Sequence, residues 1–204
     1  MSTIILVRHG QTEWNRVKRF RGRFDVPLNE AGLAQAEAAA RAIAARWKAS
    51  AVYASPLSRA MATAEPIAQG LGVEPQAHAG LIDIDYGAWQ GLTPEEARAG
   101  WPELVEALYR GNPDTPIPGG ESLATVGKRA LGALRELAAR HEGQAIVAVS
   151  HTMFNRALLV CAMGLPWDRF WRIGQDNGAI NVFEVRGDAF SMVQWNDTCH
   201  LLTG

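Results

Sequence analysis

Three apolar runs, each ending in polar residues and followed by a helical pattern, constrain this chain more than any other feature. Thr3-Ile4-Ile5-Leu6-Val7 is short and rich in β-branched residues, as a buried strand is, and it stops at Arg8-His9-Gly10. Ala51-Val52-Tyr53-Ala54 stops at Ser55-Pro56-Leu57-Ser58-Arg59, where Pro56 suits the first turn of a helix running through Ala60 to about Gly70. Ala145 to Val149 stops at Ser150-His151-Thr152, and a helical pattern follows from about Met153 to Met163. Strand, loop and helix repeated in this way predict a parallel, doubly wound sheet. Ligands in such sheets bind just beyond the carboxyl ends of the strands. Arg8, His9, Arg59 and His151 are therefore all expected at the binding edge, with Gly10 letting the backbone turn sharply and approach a ligand.

The stretches between these units fit the same plan. Residues 13 to 28 have loop composition and carry Arg16, Lys18, Arg19, Arg21 and Arg23 around Gly22. Asn29-Glu30-Ala31-Gly32 reads as a helix start, and Leu33 to Trp47 has helical spacing. Residues 73 to 92 read as irregular or extended, and 93 to 110 as short helices interrupted by Gly100 and Pro102. A loop rich in proline and glycine then leads into a long amphipathic helix over Glu121 to His141. Ala179 to Arg186 and Phe190 to Trp195, joined by Gly187-Asp188, predict a hairpin at the sheet edge. The predicted fold is α/β: a three-layer sandwich with a doubly wound, mostly parallel sheet, helices on both faces and an antiparallel edge hairpin. A single domain over 1–204 accommodates it.

A formal charge of −1 gives no bulk attraction to nucleic acid or to an anionic membrane, so anion binding has to come from a local cluster. No apolar run reaches the ~18 residues of a membrane span. The amino terminus enters a core strand at once and leaves no room for a signal peptide. Cys161 and Cys199 fit no metal-ligand spacing and read as reduced thiols of a cytoplasmic protein.

Adjacent parallel strands lie about 4.8 Å apart, so the groups at the strand ends can converge on one small anion. Two guanidiniums offer planar forks for phosphate oxygens, and Asn15 can add a donor. Two histidines beside a phosphate suggest two roles. One imidazole attacks phosphorus, and the other, protonated, stabilises the equatorial oxygens. A leaving alkoxide needs a proton, and Asp83 and Asp85 are the candidate acids.

These residues carry a resemblance. Leu6-Val7-Arg8-His9-Gly10-Gln11-Thr12-Glu13-Trp14-Asn15 resembles the Arg-His-Gly signature of the histidine phosphatase superfamily, in its phosphoglycerate-mutase-like branch. The likeness continues, in the family's order, through Ser55 to Arg59, Gly119-Gly120-Glu121-Ser122 and Val149-Ser150-His151. It implies a phosphohistidine on His9, a phosphate pocket made by Arg8, Arg59 and His151, substrate contacts from Asn15, Arg21 and Gly22, and no metal or other cofactor. The family's proton donor is usually a glutamate in a Leu-x-Glu-x-Asp-x-Gly pattern. Here Leu81-Ile82-Asp83-Ile84-Asp85-Tyr86-Gly87 puts Asp83 at that position. Its carboxyl is one methylene shorter and would fall ~1 Å short unless the backbone moves closer.

The mutases of this branch carry an Arg-Arg pair after the acid motif. This chain has only the separated Arg98 and Arg110 between Gly91 and Gly119, which favours hydrolysis. Asp168 to Asn177, the tail Asp197-Thr198-Cys199-His200-Leu201, and Thr152 after His151 resemble the metal-independent phosphoserine phosphatases. That likeness adds Thr152, Tyr86 and His200 to the expected substrate-binding residues, although Tyr86 stands where those enzymes usually have histidine. The expected partner is a small phosphomonoester, and the tail and late hairpin can pack across a homodimer interface. The alternatives are a phosphoglycerate mutase and a phospholigand-binding protein without catalysis.

Overall fold

The computed structural model describes residues 1–202. In chain order the elements are β1 (Ser2–Arg8), α1 (Glu13–Arg16), α2 (Glu30–Arg46), β2 (Ala49–Ala54), α3 (Ser58–Leu71) and β3 (Pro75–Ala77). There follow α4 (Pro94–Gly100), α5 (Pro102–Tyr109), α6 (Leu123–Arg140), β4 (Ala145–Ser150), α7 (Thr152–Ala162), β5 (Ile180–Arg186) and β6 (Ala189–Asp197). The strands form one six-stranded sheet in the order β3-β2-β4-β1-β5-β6. β3, β2, β4 and β1 run parallel, while β5 and β6 are antiparallel and close one edge. The exposed Met192 and Val193 lie on that edge strand.

Alternation along the central strands divides the core into two layers, as the two-residue repeat of a strand requires. Ile4, Leu6, Ile146 and Ala148 face the helices α6 and α7, meeting Leu134, Leu137, Phe154 and Leu158. Ile5, Val7, Val147 and Val149 point the other way, onto Ile43 of α2 and Ile67 of α3. These central strands are covered on both faces, which is why they read as continuous apolar runs. The short strand β3, in the stretch read as irregular or extended, makes only three pairings with β2 and has no buried residue. With so little apolar surface to hide, it has no hydrophobic pattern to read.

Gly10 serves a purpose different from the expected one. It does not adopt the left-handed conformation reserved for glycine. Instead, a Cβ there would overlap the backbone of Gly32, which in turn presses on Gln11, so the first turn of α2 packs directly against the chain leaving β1. The overlapping atoms are backbone and cannot swing aside. Gly10→Ala is therefore expected to cost about 3 kcal/mol, at the upper end of overpacking penalties. Urea denaturation monitored by circular dichroism measures it, and a loss under ~0.5 kcal/mol would contradict the packing argument.

Candidate active site

Because β4 lies between β1 and β2, the carboxyl ends of these three strands are neighbours. The backbone continues the ladder past the strand ends: His9 donates its N–H to Ser150 O at 3.0 Å, and Ser55 donates to Val149 O at 3.0 Å. His9 and His151 thereby stand side by side, with ring centroids 5.1 Å apart. Arg59 enters from the first turn of α3, and Asp83 from the loop after β3. The Asp83 Oδ2 lies 3.7 Å from Arg59 Nη2 and 3.9 Å from His151 Nδ1. The side chains of His9, Arg59 and His151 are fully buried, and Arg8 and Asp83 nearly so.

Buried nitrogens normally find partners. Here Arg8 Nε, His9 Nε2, Arg21 Nε, Arg59 Nε and both ring nitrogens of His151 find none among the described residues. Several neighbouring nitrogens are committed. His9 Nδ1 lies 2.6 Å from Gly10 O, so that nitrogen carries the proton and Nε2 keeps its lone pair. Arg8 donates to the carbonyl of Gln175. The two Nη groups of Arg59 donate to Phe24 O at 2.8 Å and Gly22 O at 2.7 Å, so this guanidinium also staples the 22–24 loop beside the site.

A cavity of about 230 Å³ opens beside the cluster, reaching it at Arg8 and Asp83, while His9, Arg59 and His151 lie behind its wall. Arg8, Arg21, Gly22, Asp83, Tyr86 and Thr152 border it, as expected of them from the sequence. Asn15 and His200 do not. Asn15 Oδ1 accepts from the Thr12 N–H and hydroxyl, both at 2.9 Å, closing the turn of α1. His200 Nε2 faces Gly178 O at 3.1 Å, and Gly178 donates its N–H to Arg8 O at 3.1 Å, so the tail buttresses the back of the site. The volume lies below the ~300–1,000 Å³ of pockets for drug-sized ligands, which suits a small metabolite.

The model of the histidine phosphatase superfamily, branch 1, matches residues 4–198. The chain belongs to that family. Phosphoserine phosphatase 1 of Hydrogenobacter thermophilus is 36% identical over 98% of this chain and 95% of its own. The 2,3-bisphosphoglycerate-dependent phosphoglycerate mutase of Brucella anthropi is 35% identical over 92% of this chain and 94% of its own. Among solved structures, a mutant phosphoserine phosphatase from Entamoeba histolytica in complex with phosphoserine superposes with a TM-score of 0.88 at 28% identity, covering 98% of this chain and all of that one.

In this histidine phosphatase the electrostatics of the cluster follow from burial. Desolvation, then the charges of Arg59, His151, Arg8 and Arg21, push His9 well below the usual imidazole value, leaving it neutral. His151 is pushed down in the same way by burial, Arg59, Arg21 and Arg8. Arg129 adds to the same lowering, so four cations crowd the ring, and the proton expected on it beside a phosphate has to come with the anion's charge. Burial pulls Arg8 down to about 9 and Arg59 to about 10, although Asp83 opposes both shifts. Asp83 itself is raised, because burial outweighs the lowering by Arg59 and Arg21 and by the Ile84 N–H.

The shorter acid is met by a tethered backbone. Arg129 of α6 donates to Ile82 O at 2.5 Å, Gly80 O at 3.2 Å and Asp83 O at 3.3 Å, and pairs with Glu121 at 2.9 Å. Glu121 accepts the Asp85 N–H at 3.0 Å and donates its own N–H to Asp85 O at 2.8 Å. The Gly-Gly-Glu-Ser stretch thus seats the acid loop.

Arg129, Gln175, Arg156 and Trp171 are parts of the site that sequence reasoning missed. Arg156 alone left a readable signal: it lies four residues after Thr152 on α7, hence on the same helical face.

Proposed function

We propose that this chain is a single-domain, metal-independent phosphomonoesterase that hydrolyses a small phosphorylated metabolite, phosphoserine foremost, through a phosphohistidine. The observation that carries the reading is the gathering of unpartnered Arg8, His9, Arg59 and His151 nitrogens around a buried carboxyl whose pKa burial raises. In the first step the His9 Nε2 lone pair forms a bond to phosphorus and the bond from phosphorus to the ester oxygen breaks. Asp83 gives its proton to the departing oxygen, and the alcohol leaves. The imidazolium so formed keeps its Nδ1–H on Gly10 O, which offsets the new charge. In the second step a water oxygen attacks phosphorus, its proton goes to the Asp83 carboxylate, and the nitrogen–phosphorus bond returns its electrons to His9. Arg8, Arg21, Arg59 and His151 hold the phosphoryl oxygens throughout, with Gly22 and Thr152 at the rim.

Hydrolysis is favoured over phosphoryl return because the cavity lacks a mutase-like arginine pair. Arg98 is spent on Glu106 at 3.0 Å on the exposed surface, and Arg110 borders a separate hollow. The free thiols Cys161 and Cys199 support a reducing, cytoplasmic setting. No helix among the described residues is long and apolar enough to cross a membrane.

Phosphate release from phosphoserine, sugar phosphates and phosphoglycerates, scored by kcat/KM, tests the reading. The expected result is hydrolysis led by phosphoserine, with phosphoglycerate interconversion at least ~100-fold slower even when primed with the bisphosphate. Faster interconversion than hydrolysis would make it a mutase. Binding without phosphate release would make it a sensor.

A further inference from the structure

We infer that Arg156 and Trp171 form a second anion subsite at the far end of the cavity, and that it reads a carboxylate on a short phosphorylated acid while the substrate's ammonium goes unread. The inference rests on the phosphomonoesterase reading and names what else its substrate carries.

Arg156 borders the cavity, yet its guanidinium makes no hydrogen bond or ion pair with any described residue, and its buried Nε finds no partner. It lies over the Trp171 ring, 6.0 Å from the centroid. That ring is fixed by an indole N–H donated to Leu108 O at 2.8 Å and by contacts with Tyr109 and Phe170. A half-buried guanidinium with no hydrogen-bond partner among the described residues offers its planar fork, the form suited to a carboxylate.

Charge arithmetic points the same way. Arg8, Arg21 and Arg59 already exceed the two negative charges of a phosphomonoester, and Asp83 is held toward its neutral form. Arg156 adds a further cation whose burial lowers its pKa and so calls for a counter-charge. The neighbouring phenol of Tyr86 does not supply one, since burial raises its pKa further from ionisation. The other nearby acid, Asp176, is exposed, accepts from Asn196 at 2.8 Å and faces a different hollow.

Spacing sets the size of the ligand. Arg156 lies four residues of α7 beyond Thr152, roughly 6 Å along the helix from the residue that follows His151. Two or three carbons span that distance. Among the described residues the cavity wall carries no carboxylate other than Asp83, so none of them pairs with an ammonium.

The test compares phosphoserine, its deamino analogue 3-phosphooxypropionate, and phosphoethanolamine, which keeps the ammonium but lacks the carboxylate. With the unaltered protein, phosphoserine and the deamino analogue are expected within ~3-fold in kcat/KM, and phosphoethanolamine ~30-fold lower, the size of one lost charged hydrogen bond. In Arg156→Met the ratio of phosphoserine to phosphoethanolamine should collapse toward one through KM, and Arg156→Lys should restore part of it. An unchanged ratio, or a deamino analogue far poorer than phosphoserine, overturns the inference.

A binding arm needs no turnover. In His9→Ala protein, calorimetry should show Arg156→Met weakening phosphoserine ~30-fold more than inorganic phosphate. Equal weakening of both would refute the subsite. Absence of hydrolysis of every ester alongside a positive binding arm would refute the phosphomonoesterase reading and leave the subsite standing.

Discussion

His9→Ala should lower phosphate release at least ~10⁴-fold, the scale of losing a nucleophile from a site that keeps its other groups. The argument starts from one hydrogen bond. With Nδ1–H given to Gly10 O at 2.6 Å, the imidazole is locked in the tautomer whose lone pair sits on Nε2. Burial and the surrounding arginines keep that ring unprotonated at neutral pH. Alanine removes the attacking atom, while Gly10 O keeps the N–H that Asn177 Nδ2 donates at 3.2 Å, so the loss is expected in chemistry and not in folding. The covalent step has its own signature. A denaturing alkaline quench after mixing with ³²P-labelled phosphomonoester should retain label on the protein, and acid should strip it, as a phosphoramidate bond requires. His9→Ala should retain none. Near-normal turnover, or label that survives acid, would end the proposed chemistry.

The legible part of this molecule is whatever repeats or interrupts a pattern. Ile4-Ile5-Leu6-Val7 and Ile146 to Val149 read as buried strands because both faces are covered, and each is followed by the group it delivers. That put His9 and His151 at neighbouring strand ends, where the sheet order sets them 5.1 Å apart. Other features depend on partners remote in the chain. The need for Gly10 comes from Gly32, and the ties of Arg59 come from carbonyls in the 22–24 loop. Arg129 looks like any solvated cation on an amphipathic helix, yet it holds three carbonyls of the acid loop nearly fifty residues away. The charge on His151 is hidden from the sequence for a related reason. Phosphate chemistry asks for a cation there, but the number of buried arginines around the ring is a property of the folded site.

Asp83→Asn should divide substrates by leaving group. Alkyl phosphomonoesters release a strongly basic alkoxide, so removing the proton donor is expected to cost ~10²–10⁴-fold in kcat/KM. p-Nitrophenyl phosphate releases a stable phenolate and needs no proton in the first step, so its phosphoryl transfer to His9 should fall less than ~10-fold. Its second step still lacks the base that takes the proton from water. Labelled phosphoenzyme should therefore accumulate in Asp83→Asn with the nitrophenyl ester and not with alkyl esters.

The pH dependence follows from the direction of the shift. Asp83 is raised above the ordinary carboxylate value of 3.8 by burial, so the acid form persists beyond it. Activity on alkyl esters is present below the folded-state pKa and lost as pH rises through it, and this descending limb should vanish in Asp83→Asn. Stability carries the same sign. The folded state keeps a proton that the unfolded chain releases near 3.8, so the contribution of this group falls as pH rises from there through the folded value. Equal losses on both esters, with the limb intact, would mean that the carboxyl orders Arg59 and His151 and never gives up its proton. A donor one methylene shorter than a glutamate is credible only because Arg129 tethers the acid loop's backbone, so Arg129→Met should reproduce the leaving-group split in weaker form.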